Sequence, residues 1–281
     1  MVDRPKGAAR VYSGPVIDTH VHLQLDEQMQ MVGNAHSPDH YLKAAADIDL
    51  RAVGVLVMAP SGELDRTRRQ NDLVLELAST DSSPWYAMCS VHPHDGDGAL
   101  EELERVATAG ACGVKLHPNT QDFDVADERV AAVVAKAGEL SLPVLFDAYS
   151  PYDAGQPGKF VTLATEAEQS KIILAHMHGP RFLELLVYEI LGRYPWWRAN
   201  VWHDVSWAAA AWASSPYAEQ FSWVCRKVGV DRLLFGSDFP LDDPVTALQS
   251  LDELGFSGEE IASIAHDNAA SLFGLDGKST P

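Results

Sequence analysis

The segment VIDTHVH, residues 16–22, places Asp18, His20 and His22 at every second position of an apolar run. Alternate side chains of a β-strand leave the same face, so the spacing predicts two imidazoles and a carboxylate aimed one way. Imidazole nitrogens and carboxylate oxygens are donors for a divalent ion, which takes three or four of them, so a lone His-x-His is too few. More donors follow at the ends of later apolar runs. His92 follows WYAMCSV, Lys115 and His117 lie in GVKLHP, and Asp147 ends LPVLFD. His176 and His178 lie in IILAHMHG, His203 and Asp204 in NVWHD, and Asp238 in LLFGSD. Without clustered thiolates, such a set suits Zn²⁺, Mn²⁺ or Fe²⁺ with positions open to water and substrate. His92 and His203 read better as structural histidines. Asp238, at the mouth of an apolar strand, has to be paired, liganded or solvated.

These residues need elements that bring them together. Eight short runs rich in Val, Ile, Leu and Phe alternate with amphipathic segments such as GALEELERVATAG and DERVAAVVAKAGEL. The alternation predicts an α/β chain with a parallel sheet closed as a single (β/α)₈ TIM barrel. Its strands are expected to begin near Val16, Ala52, Trp85, Cys112, Pro143, Ile172, Asn200 and Arg232. All strand ends of such a barrel meet at one rim, where barrel enzymes build their sites. An open doubly wound sheet fits less well, because no Gly-rich phosphate turn follows the first strand. We expect one domain over residues 1–281, with an extension at 1–14 and a tail at 276–281. Specificity is expected in the loops 23–38, 149–160 and 206–217. The five tryptophans from Trp196 to Trp212 read as packing or as the wall of a pocket.

Composition narrows the partners. The 40 Asp and Glu outnumber the 21 Lys and Arg, a formal charge of -19 that repels nucleic acid and anionic lipid. A small-molecule substrate is the expected partner, with homo-oligomer formation left open. Cys89, Cys112 and Cys225 are widely spaced and form no Cys-x-x-Cys, which predicts unpaired structural thiols in a reducing compartment. No apolar leader or membrane-length run occurs, so a cytoplasmic location is expected.

The motifs VIDTHVHL, GVKLHP, IILAHMHG, LLFGSDFP and DNAASLFGL, in that order, resemble the amidohydrolase superfamily, in particular its amidohydrolase-related (amidohydrolase 2) branch. The resemblance spans nearly the whole chain. It implies a (β/α)₈ barrel and a metal-dependent hydrolase, with one or two divalent ions per chain, Zn²⁺ foremost. It implies that His20 and His22 are ligands from the first strand, His176 from the sixth and Asp238 from the eighth, with Asn268 structural. Lys115 and His117 compete for a metal-bridging or substrate-binding role, and His178 competes with His176. The fifth strand departs from the family pattern, because PVLFD puts Asp147 where relatives carry histidine. A carboxylate can ligate the same metals, so Asp147 joins the expected ligand set. On this reading Asp238 takes a proton from water, His176 holds the metal or the carbonyl oxygen, and Asp18 orients an imidazole. The competing readings are a non-oxidative decarboxylase of an unsaturated or aromatic acid, a metal-free lactonase using Lys115, and a non-catalytic binding barrel.

Overall fold

The computed structural model of the chain describes residues 12–23, 37–80 and 83–275. Within them lie eight parallel strands, hydrogen-bonded to one another in sequence order. They are β1 Pro15–His22, β2 Asp49–Leu56, β3 Trp85–Cys89, β4 Gly113–Leu116, β5 Val144–Asp147, β6 Ile172–Ala175, β7 Val201–Asp204 and β8 Leu233–Leu234. Beyond β8 the chain returns to β1. The backbone N–H of Thr19 donates to the carbonyl of Phe235, that of Asp238 to His20, and that of His22 to Phe239, at 2.8–2.9 Å. The sheet thereby closes as the predicted (β/α)₈ barrel.

The helices are α1 Pro38–Ala44, α2 Leu64–Ser79, α3 Asp97–Thr108, α4 Glu128–Glu139, α5 Gln156–Glu166, α6 Leu186–Leu191, α7 Ala208–Ala213, α8 Ala218–Val228, α9 Pro244–Glu253, α10 Gly258–Ala262 and α11 Asn268–Phe273. Along each strand one face goes to the lumen and the other to the helices. Ile17, Ala52, Leu56, Tyr86, Met88, Leu145, Ile173 and Leu234 fill the lumen, with Ala269, Ala270 and Leu272 of α11 joining the same cluster. Their neighbours Val53, Val55, Val114, Leu116, Val144, Phe146, Leu174, Val201 and Leu233 pack in the larger cluster beneath the helices.

Seven strands begin within one residue of expectation, whereas β2 starts at Asp49 rather than near Ala52. Pro15 and Val16 pair with Asp49 and Leu50, so register with β1 recruits a polar start that hydropathy does not mark. Two of the expected loops are partly helical. QPGK, inside 149–160, opens α5, where Pro157 occupies the first turn and needs no N–H donor. The alanine run inside 206–217 forms α7. Of the loop 23–38, residues 24–36 lie outside the described residues, as do 1–11 of the expected extension and the tail 276–281. Among the described residues no helix is long and apolar enough to cross a membrane.

Candidate active site

The first strand does not run as a plain alternation. Asp18 pairs with Val53 but Val21 with Val55, so β1 carries one extra residue between them, a bulge. Ile17 lies in the lumen cluster, while Val16 and Val21 lie beneath the helices. The extra residue separates Asp18 from the two histidines. Its carboxylate accepts from the Tyr41 hydroxyl of α1 at 2.9 Å, from the Ser237 N–H at 2.9 Å and from the His20 N–H at 3.1 Å. Asp18 therefore pins the backbone of β1 to the turn after β8, and burial raises its carboxyl to about 6. The imidazole-orienting role expected of Asp18 falls to Asp204 instead. Asp204 Oδ2 accepts from His20 Nδ1 at 2.5 Å, with both side chains fully buried. With Nδ1 so engaged, His20 Nε2 faces the mouth of the barrel, the arrangement by which carboxylates set the tautomer of ligating histidines.

Around that nitrogen the strand ends converge. His22 Nε2 lies 3.1 Å from His20 Nε2, Lys115 Nζ lies 3.1 Å away, and Asp238 Oδ1 3.4 Å away. Asp238 Oδ1 is also 3.5 Å from His22 Nε2, and its Oδ2 is 4.0 Å from His176 Nδ1. One donor atom each from His20, His176 and Asp238 lies within 4.8 Å of the others. Asp147 Oδ2 lies 3.2 Å from His176 Nε2 and 3.5 Å from His117 Nε2, so it spans the two histidines on its side of the rim. The structure thus brings together His20, His22, Lys115, His117, Asp147, His176 and Asp238. His178 stands apart, its Nδ1 bonded to the Ala148 carbonyl at 2.7 Å and its ring against Phe160. The backbone explains the separation. After β6, His176, Met177 and His178 have φ of 61°, 50° and 58°, a left-handed turn that keeps His176 over the lumen and carries His178 away. Asp238 also has positive φ, at 57°. Non-glycine residues held there cost about 1–3 kcal/mol each and cluster at functional sites.

Charge in the cluster is divided unevenly. Burial, with the Lys115 charge next, holds His20 well below the ordinary histidine value, and burial also depresses His22 and takes His117 to about 4. Lys115 is depressed by burial against the pull of Asp147, Asp238 and Asp204. Burial raises Asp238 to about 6, partly offset by His176 and Lys115. For Asp147 burial acts upward, but the bond from His176 and the charges of His176, His117 and Lys115 outweigh it and hold the carboxyl down. The same pair holds His176 above its usual value, its own burial being outweighed by Asp147, Asp238 and Asp204. The neutral imidazoles of His20 and His22 beside Asp238 are the donor chemistry that Zn²⁺, Mn²⁺ or Fe²⁺ accepts, and His176 would join them on giving up its proton. Donor atoms bound to one ion at about 2 Å lie roughly 3–4 Å apart, so the trio needs only a slight contraction to fit it.

A cavity of about 680 Å³ opens over the cluster, lined by His22, His117 and Asp238 and walled by Leu23, Leu56, Val57, Met58 and Leu241. None of the five tryptophans from Trp196 to Trp212 lines it. Sequence reading also missed three supports. Ser206 Oγ donates to Asp204 Oδ2 at 2.9 Å and lies 3.1 Å from His176 Nδ1, linking the β6 and β7 ends. Ser90 Oγ donates to the Lys115 carbonyl at 2.8 Å. Gln121 accepts from the His117 N–H at 2.8 Å and donates to the carbonyls of Ala59 and Val91, tying three rim loops together. None carries a spacing signal. His92, read as structural, donates from Nε2 to the Gln121 carbonyl at 2.6 Å and accepts the His94 N–H on Nδ1 at 3.1 Å.

A parallel barrel with histidine and carboxylate side chains gathered at its C-terminal rim has the layout on which barrel enzymes build their sites. The sequence model of the amidohydrolase family matches residues 17–275, and the chain belongs to that family. Several solved structures share the fold. A 2,6-dihydroxybenzoate decarboxylase from Rhizobium superposes with a TM-score of 0.73 at 17% identity, covering 94% of this chain and 99% of its own. A Staphylococcus aureus protein assigned as an amidohydrolase gives 0.72 at 18% identity, covering 93% and 100%. A Pseudomonas putida protein assigned as a 2-pyrone-4,6-dicarboxylic acid hydrolase gives 0.63 at 19% identity, covering 93% and 98%. No curated protein matches the chain.

Proposed function

We propose that this chain is a metal-dependent hydrolase that directs water at the carbonyl of a small amide, ester or lactone. The observation that carries the reading is the convergence of His20, His176 and Asp238, mutually within 4.8 Å, beneath a cavity of about 680 Å³. His20, His22, His176 and Asp238 would hold the ion, with Asp147 beside His176. A bound divalent ion supplies acidified water and polarises a carbonyl. The protein's part is proton transfer and placement. Asp238, whose pKa burial lifts toward neutrality, accepts the proton of the attacking water and returns it to the leaving group. Lys115 and His117 present N–H groups to the oxygens of the substrate, and His117 reaches the cavity itself. The apolar wall of Leu56, Val57 and Met58 takes the body of the substrate and displaces water from the reacting carbonyl.

Elemental analysis of the purified chain, joined to product analysis on a panel of amides, esters, lactones and aromatic acids, tests the proposal. We expect a stoichiometric divalent metal, Zn²⁺ first and Mn²⁺ or Fe²⁺ next, and hydrolysis that stops on chelation. Release of CO₂ from an acid without hydrolysis of any panel member would replace this reading with a decarboxylase. Turnover of a lactone by metal-free protein would replace it with the Lys115-based lactonase.

A further inference from the structure

We propose that the outer face of α6 and α8 is the contact surface of a two-fold homodimer of this chain. Of the nine large apolar side chains exposed among the described residues, six lie on or beside these two helices: Leu183, Ile190, Tyr194, Trp196, Tyr217 and Trp223. Elsewhere the barrel helices turn polar residues outward. α2 exposes Asp65, Arg69, Asp72 and Glu76, and α3 exposes Asp97, Glu101 and Glu104. The segment FLELLVYEIL, residues 182–191, is built differently. Phe182, Leu185 and Tyr188 are buried, while Leu183 and Ile190, seven residues apart, leave the opposite side. A helix apolar on both sides belongs between two layers, and the barrel supplies only one of them.

The six side chains form a connected surface. Tyr194 and Trp196 have their rings 5.7 Å apart. Trp212 links Tyr217, at 5.9 Å, to Phe182, at 5.4 Å, the neighbour of Leu183. Lys227 lies over the Trp223 ring at 5.7 Å and lines one groove with Glu189, Gly192 and Arg193 at the end of α6. Tyr194, Trp196, Tyr217 and Trp223 are 49%, 52%, 56% and 48% exposed. An aromatic side chain has about 150–250 Å² to cover, so four that are half exposed leave roughly 400 Å², to which Leu183 and Ile190 add. A standard interface covers about 800 Å² of each partner, and about 65% of a homodimer interface is apolar, which asks for roughly 500 Å². The face therefore has the apolar area that a stable dimer needs.

Charge points to a second copy as the occupant. Residues 181–228 carry five basic side chains, Arg181, Arg193, Arg198, Arg226 and Lys227, against four acidic ones, of which Asp204 is buried. The formal charge of -19 thus resides on the rest of the chain. Three of the arginines are already paired, Arg181 with Glu184, Arg193 with Glu189 and Arg198 with Glu168, each at 2.7 Å. Two copies meeting through the acidic remainder would set like charge against like, whereas this face meets itself without net repulsion. A strongly acidic or basic partner would gain little from charges already paired. Tyr, Trp and Arg are also the residues enriched at such contacts, and a patch that meets itself about a two-fold axis closes at two copies.

Sedimentation equilibrium of the purified full chain tests the proposal. We expect a dimer with a dissociation constant of about 1 µM or tighter, as interfaces of this size give. Ile190→Glu and Trp223→Glu should each weaken it by about 30-fold or more, the scale of a central interface residue. Trp196→Ser, in the turn after α6, repeats the test should a helix variant fold poorly by circular dichroism. Tyr152→Glu, which removes an exposed aromatic elsewhere, should leave the dimer intact, and all variants should bind Zn²⁺ as the wild type does. A chain that stays monomeric at about 100 µM, a dimer that survives all three substitutions on the face, or open-ended polymers in place of a dimer would overturn the proposal.

Discussion

Replacing Asp204 with asparagine tests whether this chain sets the tautomer of His20 from behind. The carboxylate receives the Ser206 N–H on Oδ1 at 2.7 Å, and His20 Nδ1 at 2.5 Å and the Ser206 hydroxyl at 2.9 Å on Oδ2. In Asp204→Asn the Ser206 N–H requires an oxygen, so the amide NH₂ falls on the side of His20. There it donates to Nδ1, which forces the imidazole proton onto Nε2, the nitrogen that faces His22 and Asp238. A protonated Nε2 cannot ligate. Loss of such a supporting partner typically costs 10–100-fold in metal affinity or activity, about 1.4–2.7 kcal/mol. Volume and burial are nearly unchanged, so the metal-free variant should unfold close to the wild type. The assay is competition for Zn²⁺ against a chromophoric chelator, with apo-protein thermal unfolding measured alongside. Equal Zn²⁺ affinity in a normally folded variant would refute the reasoning, since His20 would then not depend on Asp204 for its ligating form.

Three further outcomes are expected. His20→Ala/His22→Ala should lose stoichiometric metal by elemental analysis while circular dichroism remains that of a folded barrel; retention of the ion would move the anchor elsewhere. Asp238→Asn should lower kcat by about 10²- to 10⁴-fold, the range for general base action, with KM little changed and metal content measured on the same sample. Gly236→Ala would place a Cβ 2.7 Å from His20 Cβ and 2.8 Å from Asp204 Oδ1, so it should destabilise the chain by about 1–3 kcal/mol in urea titration and reduce metal affinity; a neutral result would show that the His20–Asp204 pair can shift without loss.

The fold was legible because lumen and helix faces are both apolar along each strand. IILA of β6 and VLF of β5 stand out as short buried runs between amphipathic helices. Strand ends were legible for the same reason, since a polar residue such as Asp147 or Asp238 interrupts such a run abruptly. The bulge in β1 was not. VIDTHVH looks like strict alternation, and the extra residue is set by pairing with β2, a contact between segments far apart in the chain. The split between His176 and His178 was also hidden, because a left-handed turn of non-glycine residues has no residue-type signature. Ser206, Ser90 and Gln121 act through loop contacts across strands, which no local period encodes. QPGK was misread as loop because proline and glycine mark both turns and helix starts.

Thr19 and Phe235, which join where the barrel closes, stand 216 residues apart. On that same join sit His20, His22 and Asp238. A ribosome making this chain therefore releases the two imidazoles early and the carboxylate near the end. Until the last strand reaches the first, the histidines have neither Asp204 nor Asp238 beside them. Loop closure over such a span is entropically costly and non-local pairing is slow, so the rim cluster comes into being with the final zipping of the sheet. An ion captured there would staple the first strand to the last, and metal uptake would report completion of the protein rather than precede it.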